Sequence, residues 1–368
     1  MLFSLFKILN IMSNIIKNKK YFRVKEFTQE IYDSQHETFS KGWSCGWDIG
    51  DDIISFKEGH STYIYAHPGE GKTVFITESL VHLARNEKKV VCIYSPETGK
   101  RKDIVWTLIQ VYAGKRLYGK NAYKITREEI DEAINFIDEW FVILEHDSLA
   151  DKSDPKFTAK DIFNQVHSAQ KEYNKKINVL CIDPFNFLDK ELEDERKTIQ
   201  DYVLDVLKFI NAATAKMKLH TMLIAHLRDE PLITDKDTGV EYMPKPFPSK
   251  LGGGTSFWRA GYQMIGLWRE PFGLIDKTGM PYNESCTQVI CQKSKPLGIG
   301  KKETFKLFFN EDTHSLYEKF GDYTYKCGEK AKEFENTINK YNMPPMPTSS
   351  WHEQKSPLKD KEELDSPF

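Results

Sequence analysis

The chain has 368 residues, 40% hydrophobic and 13% aromatic, and a formal net charge of −2. That length and apolar content fit one large α/β domain with appendages, and the near-neutral balance excludes a globally basic nucleic-acid-binding field, leaving only local patches. Six cysteines without a C-x-x-C pair and ten histidines without H-x-x-x-H spacing predict no structural zinc and suit a reducing cytosol.

Residues 1–12 (MLFSLFKILNIM) are apolar but too short to span a bilayer, and they lack a basic n-region. They read either as a weak interfacial helix or as sequence ahead of a true start at Met12, and no membrane association is expected. Residues 24–39 follow as an amphipathic helix, closing an N-terminal segment over 1–39. A β-branched and aromatic run then leads into a glycine-bearing loop, and helical spacing continues to Asn86. Next come a strand at 89–95, helices near 103–117 and 127–141, a strand at 142–146, a helix near 158–174 and a strand at 178–182. The helix at 198–216 places Ile199, Val203, Val206, Leu207 and Ile210 on one face. Strands at 221–225 and 262–268 precede alternating runs at 286–292, 304–309 and 314–318. Alternation followed by a terminal meander predicts a mainly parallel sheet with an antiparallel extension. Residues 229–256, with four prolines and Gly252-Gly253-Gly254, predict a long mobile loop. The core is assigned to 40–325, a helical extension to 326–341 and a disordered tail to 342–368.

The loop after the first strand reads Ala66-His67-Pro68-Gly69-Glu70-Gly71-Lys72-Thr73, the Walker A spacing with alanine in place of the first glycine. It predicts nucleoside triphosphate binding by His67 through Thr73. Backbone N–H groups around Gly69 and Gly71 cradle phosphate, Lys72 reaches the β- and γ-phosphates, and the Thr73 hydroxyl ligates Mg²⁺. Val179 to Ile182 is an apolar run capped by Asp183, the Walker B pattern for a second Mg²⁺ partner. Glu97 follows the next strand in Ser95-Pro96-Glu97-Thr98-Gly99. It reads either as the base that polarises an attacking water or as a solvated turn residue. His226 ends the strand at 221–225 and reads either as a γ-phosphate contact or as an ordinary surface or core histidine.

In order, the Walker A loop, Ser95-Pro96-Glu97, Ile182-Asp183-Pro184-Phe185-Asn186, Ile224-Ala225-His226-Leu227-Arg228 and the segment Lys250 to Arg259 (KLGGGTSFWR) resemble the ring-shaped replicative helicases of superfamily 4. This is the group of bacterial DnaB, mitochondrial Twinkle and phage primase-helicases. The resemblance covers roughly residues 40–320 and implies a RecA-like P-loop ATPase that uses ATP and Mg²⁺. It implies Glu97 as general base, Asp183 as Mg²⁺ partner and His226 as γ-phosphate sensor. Where relatives carry Lys-x-Arg as the group acting on a neighbour's site, this chain has Lys293-Ser294-Lys295, and lysine lacks the planar bidentate fork. The family's DNA-binding loops map to Asp189–Lys197, which is mostly acidic, and to Lys245–Ser256. The latter offers Lys245, Lys250 and the backbone of Gly252, Gly253 and Gly254, or else is a solvated flexible loop.

The resemblance further implies single-stranded DNA as partner, a hexameric ring and a cytoplasmic setting in a bacterium or virus-infected cell. A RecA-like recombinase and an ATP-binding loading factor with little turnover stay open as alternatives. The last ten residues, KDKEELDSPF, are acidic and end at Phe368. They are similar to tips by which replication proteins dock partners, or are merely solubilising.

Overall fold

In the computed structural model the described residues are 23–29, 32, 42–116, 124–144, 157–189, 197–276, 279–283, 285–296, 299–320 and 323–329. Contacts divide the chain into one unit over Met1–Lys41 and another over Gly42–Phe368. In the first, Val24–Phe27 is a 3-10 turn. Most of the helix expected at 24–39 lies outside the described residues. So do the 1–12 segment, the acidic stretch 190–196, most of the 326–341 extension and the tail with Phe368.

The second unit holds twelve described strands. They are β1 (Ser61–Ala66), β2 (Val91–Tyr94), β3 (Phe141–Leu144), β4 (Val179–Ile182), β5 (His220–His226), β6 (Ile233–Thr234), β7 (Glu241–Tyr242), β8 (Gln263–Arg269), β9 (Cys286–Ser294), β10 (Thr304–Asn310), β11 (Ser315–Phe320) and β12 (Tyr323–Lys326). Ten of them form one sheet in the order β3-β2-β4-β5-β1-β8-β9-β10-β11-β12. Pairing is parallel from β3 to β8 and antiparallel from β8 to β12. The mixed sheet expected from the sequence is the observed one.

The parallel strands read as unbroken apolar runs because both faces are covered. Alternate residues feed opposite cores. A short helix α1 (Asp48–Asp51) precedes β1. Ile64, Ala66, Ile93, Cys181 and Ile224 pack with helices α2 (Lys72–Arg85), α3 (Arg101–Ala113) and α4 (Arg127–Trp140). Tyr63, Tyr65, Tyr94, Leu180 and Leu223 pack with α5 (Ala159–Glu172), α6 (Ile199–Met217) and α7 (Gly254–Ala260). Threonine starts three of these helices. Thr126, Thr158 and Thr198 each accept the N–H of the third helical residue, and Glu129 and Asp161 return the bond in full capping boxes. No described helix is long and apolar enough to cross a membrane.

Three sequence expectations are corrected, and one short helix is an element the sequence reading did not include. Residues 229–256 are not a structureless loop. They form a small hairpin of β6 with β7, then a 3-10 turn at Pro248–Lys250 and the start of α7. Ile199 is 62% exposed, because it occupies the first turn of α6 beyond the edge of the face that buries Val203, Leu207 and Ile210. Helix α1 had no periodicity to announce it; its Asp48 and Ile49 N–H groups donate to the Glu318 carboxylate at 2.8 and 3.1 Å. Lys326 ends β12 instead of opening a helix, since β11 offers that segment an edge to pair with.

Candidate functional site

The parallel register collects the candidate residues at one edge. Ala66, the first residue of the Walker A spacing, lies beside His226 in the β1–β5 pair. Ile182 lies beside Leu223 and Tyr94, so Asp183 follows directly between the ends of β5 and β2. Strand C-termini in an open parallel sheet form such a crevice because the connections leave on alternating faces.

Between β1 and α2 the chain turns through Gly69 at φ +82° and Gly71 at φ +88°, values that disfavour a Cβ. Gly71 caps α2, so the loop runs directly into the helix N-terminus, where unpaired N–H groups favour an anion. Lys72 Nζ donates to the carbonyls of Ala66 and His67 at 3.2 and 3.1 Å. Burial pulls the Lys72 pKa down, opposed by the charges of Asp183, Glu97 and Glu70. Glu70 is buried beneath the loop, where its carboxylate accepts the Arg269 N–H at the end of β8. Burial pushes it up to about 7, against that hydrogen bond and the nearby Arg269 and Lys72 charges. His67 is also buried; burial lowers its pKa, and Glu230 opposes that from 3.7 Å.

Asp183 accepts a 3.4 Å hydrogen bond from Ser95 Oγ, whose partner Thr98 Oγ1 is 2.6 Å away. Burial first, then the Glu97 charge, raises the Asp183 carboxyl to about 6. Thr73, Ser95, Thr98 and Asp183 line a single cavity of about 30 Å³. These oxygen atoms, with one carboxylate among them, are of the kind that could hold Mg²⁺, and Thr73 and Asp183 would be the residues to do so.

Glu97 and His226 meet. His226 Nε2 lies 3.0 Å from Glu97 Oε2, both side chains partly open to solvent. The His226 N–H donates to Asn186 Oδ1 at 3.1 Å, so a residue of the short turn Phe185–Phe187 anchors the end of β5. Asn186 stood within a quoted motif but carried no assigned role. A side-chain amide acting on a backbone N–H forty residues on has no local signature.

The remaining candidates part company. Lys250 is exposed and ion-pairs with Glu230 at 2.6 Å. The Lys245 ammonium donates to Gln288 Oε1 at 2.8 Å and sits 4.6 Å above the Trp268 ring. Gly252 is open, but Gly253 and Gly254 are buried: a Cβ on Gly253 would meet Val203 at 3.0 Å, and one on Gly254 would lie 2.4 Å from the Ser249 carbonyl oxygen. The Gly254 N–H already donates to the Leu251 carbonyl at 2.9 Å, so these two glycines serve the packing of α7. Lys293 is buried, with its ammonium donating to the Trp258 carbonyl and 5.3 Å above that ring, whereas Lys295 is exposed.

No family model matches the sequence, and no curated protein matches it. Solved structures do. The chain superposes on a solved ATPase domain with a TM-score of 0.61 at 15% identity, covering 81% of this chain and 99% of that one. The fold is that of a DnaB-like helicase ATPase domain. A second match is a DnaB-like replicative helicase described with its interactions with primase. Its TM-score is 0.59 at 15% identity, over 84% of this chain and 70% of that one. At that identity the shared property is the RecA-like architecture, which here places a P-loop between β1 and α2 and acidic residues at the ends of neighbouring parallel strands.

Proposed function

We propose that this chain is an ATP-dependent DNA helicase that translocates on single-stranded DNA as a hexameric ring in DNA replication. The observation that carries the reading is the convergence of Lys72, Asp183, Glu97 and His226 on one sheet edge, in a fold shared with DnaB-like helicases.

Lys72 and the loop N–H groups hold the β- and γ-phosphates. Glu97 accepts the proton of a water whose oxygen bonds to the γ-phosphorus while the bond to the β–γ bridging oxygen breaks, giving ADP and phosphate. His226, beside Ala66, donates to the γ-phosphate. Thr73 and Asp183 are the residues to hold Mg²⁺, which supplies charge neutralisation on the phosphates when bound. Lys295, exposed beyond β9, is the group left to act on a neighbour's site, since Lys293 is committed to Trp258. Lys250 and the open Gly252 contact the strand's phosphates. The setting proposed is the cytoplasm, with the Phe368 tail as a contact for a replication partner.

The test is unwinding of a forked duplex together with particle shape in the presence of ATP analogue and single-stranded DNA. Closed rings with unwinding support the reading. Filaments without unwinding point to a strand-exchange ATPase, and negligible turnover with or without DNA points to a loading factor.

A further inference from the structure

One carboxylate ties the phosphate loop to the segment 229–256. Glu230, with its side chain only 11% exposed, places Oε1 2.6 Å from Lys250 Nζ and Oε2 3.7 Å from His67 Nε2. The His67 carbonyl in turn accepts from Lys72 Nζ at 3.1 Å. Lys72, His67, Glu230 and Lys250 are therefore successive neighbours, and the His67–Glu230 approach at 3.7 Å is the one link not closed to a hydrogen bond.

The two ends of this chain of contacts differ in freedom. Lys250, half exposed on a flexible stem, can leave the pair for another anion, while the largely buried Glu230 cannot follow it. A carboxylate stripped of one cation in a poorly solvated position must find another donor, and the imidazole of His67 is next to it. Engagement of Lys250 by a phosphate thus favours closure of Glu230 onto His67. Movement of Lys72 from the His67 carbonyl to a nucleotide phosphate acts on the same contact from the other side. The Glu230 carboxylate has two alternative partners, the discrete choice that coupling between two sites requires.

We infer that Glu230 is a coupling residue through which the phosphate loop and the Lys250 contact to single-stranded nucleic acid sense one another. The inference rests on the proposed contact between Lys250 and DNA phosphates.

The experiment uses the full chain and a fluorescent oligo(dT) of about twenty nucleotides, longer than one strand-binding site of this kind, with anisotropy read in ADP and in a non-hydrolysable ATP analogue. In the wild type the two affinities should differ by about fivefold or more. In Glu230→Gln the difference should collapse to less than about twofold and oligo(dT) should bind more tightly, because Lys250 is released. In a Lys250→Met background, Glu230→Gln should have no further effect on oligo(dT) affinity. A nucleotide dependence equal in Glu230→Gln and wild type, or none in the wild type, overturns the coupling role and leaves the helicase reading standing. Failure of the wild type to bind oligo(dT) in either nucleotide overturns both.

Discussion

The phosphate loop and the segment 229–256 both carry glycines, prolines and charged residues, and they use them differently. At the phosphate loop, Gly69 and Gly71 take left-handed conformations in open surroundings, and they permit the turn that joins β1 to the N-terminus of α2. In the segment 229–256, Gly253 and Gly254 are pressed against Val203 and the Ser249 carbonyl. There the absence of a side chain lets α7 approach α6. Glycine in a sequence announces that a side chain is not tolerated; whether the space belongs to a ligand or to the protein's own backbone depends on what the fold brings alongside.

The largest effect bearing on this contrast is that of Lys72→Ala. Nucleotide binding measured by calorimetry and phosphate release should both fall to background, because in the proposed site the ammonium is the loop's charge on the β- and γ-phosphates. Turnover like wild type would break the assignment of this edge as a nucleotide site.

Glu97→Gln should retain nucleotide affinity and lower steady-state turnover by about 10²-fold, the loss of a general base with its shape kept. Turnover within a few-fold of wild type would make Glu97 only a turn residue that happens to pair with His226.

Gly254→Ala should lower stability in urea by about 1–3 kcal/mol, since the added carbon must displace backbone. Gly252→Ala, with open space around it, should stay within about 0.5 kcal/mol. Equal effects at the two positions would remove the distinction between packing glycine and open glycine.

Glu70 gives a pH test on the phosphate-loop side. Burial raises its folded pKa to about 7 from an ordinary 4.5, so between those values the folded protein keeps a proton that the unfolded chain has released. Stability from this group is therefore present below pH 4.5 and declines as pH rises to about 7. Glu70→Gln keeps an acceptor for the Arg269 N–H and should be more stable than wild type at about pH 8 by on the order of 1–3 kcal/mol, and equal to it at about pH 4. Parallel melting curves for the two proteins across this range would count against a buried acid beneath the loop.

The smallest effect is expected at Lys250→Ala. Oligo(dT) affinity should fall a few-fold, and the slope of log affinity against log salt should shrink by about 0.7, one phosphate contact on a single strand. An unchanged slope would confine Lys250 to its pair with Glu230.

Much of the candidate site was legible because it is local. Ala66 to Thr73 is one turn between a strand and a helix, and its spacing carries its geometry. Asp183 and His226 each follow an apolar run, and a parallel sheet brings the ends of such runs to one edge without further information. The Glu97–His226 contact was not legible, although both residues were candidates. It depends on β2 and β5 flanking β4, an order no single segment encodes. The segment 229–256 misled because prolines and glycines are turn formers on their own, whereas here Pro246 packs on β8 beside Gly266 and the glycines pack on α6. Lys293 misled in the opposite way: an alternating strand told nothing about which face meets Trp258.

Local pattern was enough for the alternation of parallel strands and helices, the antiparallel end and the phosphate loop, because hydrophobic period and glycine spacing act over a few residues. It was not enough to show that Glu230 bridges His67 and Lys250, that Asn186 holds the end of β5, or that Lys245 and Lys293 rest on indole rings while Lys295 stays open. Those outcomes turn on which distant side chains compete for one charge or one buried surface. Such competition is settled by packing in three dimensions, where a nearby indole face or carboxylate outweighs any preference written along the chain.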